Sequence, residues 1–256
     1  MTYSPTIAYI TIARKEVTRI LRIWTQTLLP PIITQSLYFV IFGAFLGSRI
    51  GEVGGQSYAG FIVPGLILMA VVTSAFSNVA SSFFGAKFQR SIEEILVAPV
   101  SPSTLLAGFC TGGIFRSLVV GVIVFIVSLF FVPSTITHLW AVIYFSIVTA
   151  IFFSMLGFLN GMFARKFDDV GIVPTFVLTP LTYLGGVFYD IANLPGVWHT
   201  IARFNPLAYA IDGFRYGFTG HASTPILGSA ITMFLLTSVL GIALIALLRK
   251  RTGLQT

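Results

Sequence analysis

Charge is what this sequence has least of. Asp, Glu, Lys and Arg together make up 9% of the 256 residues, while hydrophobic residues make up 56%. A soluble domain carries about 25% charged residues. So few charges cannot cover the surface of a water-soluble fold, and the mean hydropathy of +0.94 excludes a disordered or coiled-coil chain. The chain reads as an integral membrane protein. Cysteine is almost absent as well: Cys110 is the single one, so no intrachain disulfide can form. Between Gly108 and Gly112 it reads as a small buried hydrophobe rather than a reactive thiol. His138, His199 and His221 are too scattered for a metal site.

Catalytic patterns are missing too. Lys15, Lys87, Lys166 and Lys250 are followed by Glu, Phe, Phe and Arg, so no phosphate-binding G-x-x-x-x-G-K-[ST] loop exists. Neither H-E-x-x-H nor G-x-S-x-G occurs. The chain is therefore expected not to be an enzyme, and a membrane enzyme acting on lipid or peptide finds no catalytic residues here. All eight acids, Glu16, Glu52, Glu93, Glu94, Asp168, Asp169, Asp190 and Asp212, fall at or outside the ends of the apolar stretches. Ion-coupled carriers place ionisable groups or broken helices near the midplane, so a stand-alone channel or secondary carrier is the weaker alternative. The net charge of +7 sits beside apolar runs rather than on a polar stripe with interleaved aromatics, which argues against nucleic acid. No cleavable signal peptide is expected, since the first long apolar run begins only near Leu28.

What is present is six apolar stretches of spanning length, 28–47, 58–80, 105–132, 139–163, 170–189 and 225–248. The segments between them alternate in basic charge. Arg14, Lys15, Arg19, Arg22, Lys87, Arg90, Arg165, Lys166, Arg249, Lys250 and Arg251 fall on one side, against Arg49, Arg203 and Arg215 on the other. The positive-inside rule places both termini in the cytoplasm. From Thr6 to Trp24, the apolar Ile10, Val17, Ile20, Leu21 and Trp24 oppose Lys15, Arg19 and Arg22, the pattern of a helix lying in the inner headgroup layer. Pro30 and Pro31 are expected to open the first span. Arg116 is the one charge inside a span; it either snorkels or makes a structural pair, or it meets an anionic substrate or lipid head. Gly108-x-x-x-Gly112 and Gly157-x-x-x-Gly161 permit close helix approach.

The second loop predicts a short amphipathic helix over Lys87–Val97, with Phe88, Ile92, Ile95 and Leu96 as its apolar stripe and Lys87, Arg90, Glu93 and Glu94 as its polar remainder. By composition it either covers the membrane surface or forms a knob for a cytoplasmic partner. Pro99 and Pro102 end it. Between Asp190 and Thr224 the chain is too apolar for a plain loop and too interrupted by Pro195 and Pro206 to span, so short helices dipping into the outer leaflet are expected.

Two of these segments resemble a family. Glu93-Glu94-Ile95-Leu96-Val97-Ala98-Pro99-Val100-Ser101 is similar to the "E-x-L-L-x-x-P-x-S" stretch of ABC-2 type transporter permeases. Pro180-Leu181, Leu184, Gly186, then Leu194-Pro195, then Asn205-Pro206-Leu207 with Tyr209 and Arg215 resemble the same family's outer segment. The runs 82–99 and 168–189 look most like bacterial inner-membrane permeases of the YadH type. The resemblance implies a single transmembrane domain over 1–256, all-α, with an N-terminal interfacial helix, six transmembrane helices, a coupling helix between spans two and three and re-entrant helices between spans five and six. It implies a multi-pass inner-membrane subunit of an exporter, assembled as a homodimer with two copies of an ABC ATP-binding subunit. ATP and Mg would be bound by that subunit and no cofactor by this chain. It implies that Lys87, Phe88, Arg90, Ile92, Glu93, Glu94, Leu96 and Val97 face the ATPase, and that Leu194, Pro195, Asn205, Pro206 and Arg215 shape the outer gate. Faces of spans one, two and five would line the path. The substrate is not readable from the sequence.

Overall fold

The computed structural model describes residues 4–53 and 56–250; Arg251 and the side chain of Leu96 lie outside the described residues. The chain is almost entirely helical. Among the described residues, four helices are long and apolar enough to cross a membrane: α4 (Tyr58–Phe88), α6 (Pro102–Ser128), α7 (Leu139–Phe163) and α12 (Ile226–Arg249). The other elements are α1 (Pro5–Arg22), α2 (Trp24–Tyr38), α3 (Gly47–Ile50), α5 (Ser91–Val97), α8 (Phe167–Val173), α9 (Thr179–Leu184), α10 (Gly196–Arg203) and α11 (Pro206–Thr219). A two-residue antiparallel ladder pairs β1 (Glu52–Val53) with β2 (Gln56–Ser57).

Two of the expected spans are built as composites. α2 continues through a π-helical segment, Phe39–Leu46, into α3, and α8 continues through Pro174–Leu178 into α9. At about 1.5 Å per residue the first composite is long enough to traverse a bilayer core. The expectation that Pro30 and Pro31 open this helix is corrected, because α2 begins at Trp24 and carries both prolines inside it. The Thr27 carbonyl, whose helical donor Pro31 lacks, is paired from outside the helix by Arg116.

α4 is the axis of the bundle. Its apolar window is 78% buried, whereas that of α12 is 22% buried, so α4 is enclosed by protein and α12 presents a broad apolar face outward. Close packing of α7 on α4 depends on the two small positions read from sequence. A β-carbon on Gly157 would overlap the Phe76 carbonyl, and one on Gly161 would stand 2.8 Å from the Ala80 carbonyl oxygen. Gly108 and Gly112 on α6 admit α1: their β-carbons would stand 2.6 Å from Ile12 Cγ2 and 2.7 Å from Glu16 Cβ. Both G-x-x-x-G pairs are therefore used within one chain. Each turn along α1 matches a turn along α6, so these helices run side by side and in parallel over this stretch.

Buried apolar residues form two clusters. One surrounds the N-terminal and middle part of α4, with Phe76, Phe145, Phe153 and Phe214; the other, with Phe83, Phe109, Phe158 and Leu244, joins α1, α5, α6, α7 and α12. Cys110 is buried in the second.

Candidate functional site

The end of the bundle that carries the second loop is organised differently from the expected single helix. α4 runs on through Phe88, and the chain reverses at Arg90, which holds a left-handed φ of 59°. Non-glycine residues adopt that conformation at a cost of about 1–2 kcal/mol. α5 then starts at Ser91. Lys87 and Phe88 thus belong to α4, and the expectation that they share a helix with Ile92 is corrected.

The break separates the predicted residues into different roles. Lys87 is 7% exposed, and its Nζ donates to the carbonyls of Met162 at 2.9 Å and Ala164 at 3.2 Å. It closes the C-terminus of α7, where last-turn carbonyls lack helical donors and the dipole favours a cation; its expected place on an exposed partner face is not what the structure gives. Ile92 is buried and seats α5 on the bundle, with Ile95 packed beside it. Arg90, Glu93 and Glu94 are exposed, and Val97 is 88% exposed. Among the described residues, Arg90 and Glu94 do not form the ion pair their spacing allows.

Phe88 is 60% exposed and stands off the stripe. Its ring lies 4.8 Å from that of Phe167, which itself meets Phe84 at 5.0 Å. Phe167 is 61% exposed and opens α8. Edge-to-face aromatic contacts therefore join the end of α4 to the start of α8. Asp169 shapes the turn after α7 by accepting from the backbone N–H groups of Arg165 at 2.8 Å and Lys166 at 3.0 Å. These two bonds hold its carboxyl below the usual carboxylate range. Phe167 was missed in the sequence because an aromatic next to a span is unremarkable there.

α1 ends at Arg22, and Trp24 is the first residue of α2. Ile10, Leu21 and Trp24 are exposed, as are Lys15 and Arg22. Ile12, Glu16 and Ile20 form a third face, buried against the bundle. Glu16 is fully buried: its Oε2 accepts from Arg19 Nη2 at 2.9 Å and from Ser82 Oγ at 2.6 Å. Arg19 Nη2 also donates to Asn78 Oδ1 at 3.1 Å. Lys15 Nζ lies 5.9 Å from the Phe109 ring centroid. Arg116 donates from Nη2 to the Thr27 carbonyl at 2.9 Å, a structural pairing to backbone.

At the opposite end, Asn205 and Arg215 fasten α11 to α9 and to the turn that follows it. Asn205 caps α11 by accepting from Leu207 N at 3.0 Å and donates from Nδ2 to the Leu181 carbonyl at 2.6 Å. Arg215 is buried, donates from Nη2 to the Gly186 carbonyl at 2.7 Å, and lies 3.9 Å above the Phe61 ring centroid. Gly186 has φ +81°, and a β-carbon there would stand 2.8 Å from the Ile191 side chain, so only glycine turns the chain to present this carbonyl. Pro206 is the first residue of α11, and Pro195 precedes α10. Leu194 is half-buried and Pro195 exposed. Asp212 accepts from the backbone N–H groups of Ser223 and Thr224, both at 2.9 Å. Beside it a cavity of about 350 Å³ is lined by Asp190, His199, Arg203, Tyr209 and Thr232 among others.

A helical bundle with spanning-length apolar helices, a short outboard helix at one end and buried polar fastenings at the other defines a multi-pass membrane protein. The profile of the family described as "ABC-2 type transporter" matches residues 7–219, and the chain belongs to that family. It is 56% identical over 221 residues to the "Inner membrane transport permease YadH" of Escherichia coli (strain K12), covering 86% of each chain. It is 27% identical over 186 residues to "Nodulation protein J" of Rhizobium leguminosarum bv. trifolii, covering 72% of this chain and 71% of that one. To "Nodulation protein J" of Neorhizobium galegae it is 26% identical over 219 residues, covering 84% and 82%.

Proposed function

We propose that this chain is the membrane-spanning permease subunit of an ATP-binding cassette exporter of the bacterial inner membrane. Two copies would assemble with two copies of a separate ATP-binding subunit, which would hold ATP and Mg. Family membership supports the transport role, and the name of the YadH relative supports the inner membrane. The sequence has no phosphate-binding loop, which agrees with ATP being bound by a separate subunit.

The observation that carries the reading is the platform of α5 with the Phe88–Phe167 pair. Exposed large apolar groups rimmed by Arg90, Glu93 and Glu94 suit a protein partner better than water. In this reading α5 is the coupling helix, and the Phe88–Phe167 contact links the end of α4, which carries α5, to α8 and the span above it. Six crossings follow if the α2–α3 and α8–α9 composites are counted with the four long helices, the fifth taking residues 170–184. Both termini then lie in the cytoplasm. The short helices α10 and α11 would re-enter the outer leaflet and shape the exit.

Co-expression with a candidate ATP-binding subunit, purification through a tag on this chain and ATPase measurement in lipid tests the assignment. Co-purification with lipid-dependent ATPase activity is expected. Transport by the chain reconstituted alone would replace the exporter reading with a channel or carrier.

A further inference from the structure

Beneath α1 the fold gathers an unbalanced set of charges. Glu16 and Arg19 from α1 meet Asn78 and Ser82 from α4 beside Gly112 of α6, one helical turn before Arg116. Glu16 is shared between Arg19 and Ser82. Arg116 stands within electrostatic range of Arg19 and pairs with no carboxylate among the described residues; it donates to the neutral Thr27 carbonyl. Two guanidiniums thus face one buried carboxylate at the edge of the apolar bundle, where an uncompensated charge is costly.

The hydrogen-bond inventory leans the same way. Buried and without partners are Nε of Arg19, Nε of Arg116 and Nδ2 of Asn78, against a single acceptor, Oε1 of Glu16. Asn78 is wholly buried. A bridging water can join one donor to Glu16, but it leaves the positive charge in place; an anionic acceptor answers both. The cluster is also reachable. The Arg19 side chain is 32% exposed, and around it Arg14, Lys15, Arg22 and Trp24 are exposed on the same helix or just beyond it. Basic side chains with a tryptophan are what meets the phosphate layer of a membrane.

We infer that Arg19 and Arg116 bracket a phosphate-binding site, and that its occupant is the phosphodiester of an anionic phospholipid of the cytoplasmic leaflet. The inference rests on the membrane orientation proposed above, which puts the N-terminal ends of both α1 and α6 on the cytoplasmic side. The bound lipid would complete the junction between α1 and the bundle. Its occupancy would bias how firmly α1 is held against Gly108 and Gly112.

The test reads lipid binding without calling on transport or on the ATPase. The chain carries Trp24, Trp140 and Trp198; in a Trp140→Phe, Trp198→Phe background, Trp24 fluorescence is quenched by brominated phosphatidylglycerol or brominated phosphatidylcholine. The inference expects a preference for phosphatidylglycerol that falls about fivefold in Arg19→Gln and again in Arg116→Gln, while Arg22→Gln lowers it less. Glutamine at 116 keeps a donor for the Thr27 carbonyl. Should Arg116→Gln still fail to fold, Arg19→Gln against Arg22→Gln decides alone. A preference unchanged in the site variants, or lost equally in Arg22→Gln, overturns the site. Displacement of the lipid by millimolar inorganic phosphate overturns the lipid as its occupant. Labelling of an added N-terminal cysteine from the cytoplasmic side separates failure of this site from failure of the orientation.

Discussion

The Arg116 guanidinium donates to the carbonyl of Thr27 at 2.9 Å, and that carbonyl is the one from which two successive prolines withdraw the helix's own donors. In α2, residues three and four beyond Thr27 are Pro30 and Pro31, neither of which has an N–H. A side chain from α6 thus closes a gap written into α2. Replacing Arg116 with Leu is expected to leave the carbonyl unpaired and destabilise the chain by about 1–3 kcal/mol. Restoring a donor with Pro31→Ala should recover much of that loss. Thermal unfolding of the single and double variants, in detergent at matched lipid content, gives the coupling; strictly additive effects would refute it.

Gly157 predicts the sharpest steric effect. A methyl group there meets the Phe76 backbone of α4, which cannot rotate away. Gly157→Ala is expected to separate α7 from α4 and cost about 1–3 kcal/mol or more. Gly121→Ala, whose one near neighbour is the Val71 Cγ2 methyl, should cost less because a side-chain methyl can move by a change of rotamer. Membrane yield and unfolding temperature of the two variants rank them, and the reverse order would contradict the packing described.

Lys87 and Phe88 are adjacent in sequence and should behave in opposite ways. Lys87→Met removes the donor to Met162 and Ala164 and is expected to lower stability by up to about 2 kcal/mol. Any surviving folded protein should still bind the ATP-binding subunit. Phe88→Ala with Phe167→Ala should leave the fold intact and weaken that binding about tenfold or more, as loss of exposed aromatic anchors does. Unfolding curves measured beside co-purification distinguish the two classes; a Lys87 variant that is stable but uncoupled would count against this division.

Asp169 gives the pH dependence. Its carboxyl is held below the usual range by the Arg165 and Lys166 N–H groups, so its contribution to the turn is complete above the ordinary carboxylate pKa and disappears as pH falls through the lowered one. Asp169→Asn should therefore loosen residues 165–169 at neutral pH, and the difference from the parent should narrow only well below roughly pH 4. Hydrogen exchange of these amides, corrected for intrinsic rates, measures it. A difference that widens on acidification would have the wrong sign.

The sequence by itself determined that this is a helical membrane protein and where its long apolar helices lie. α7 occupies Leu139–Phe163 and α12 Ile226–Arg249, close to the apolar stretches that mark them, because polar or proline-bearing residues bound each run and a bilayer core admits no other backbone. The family resemblance, too, was carried by residues such as Pro99, Asn205 and Arg215. What the sequence could not show is which polar side chain meets which. Glu16 and Lys87 look like solvated charges in a linear reading, since each has ordinary polar neighbours. The tertiary structure buries both, because α4 offers Glu16 the Ser82 hydroxyl beside the Arg19 guanidinium of its own helix and α7 offers Lys87 unpaired carbonyls. The π-helical segments and the reversal at Arg90 are likewise decided by packing: an apolar run has the same composition whether its hydrogen bonds span four residues or five, and only the helices around it select between them.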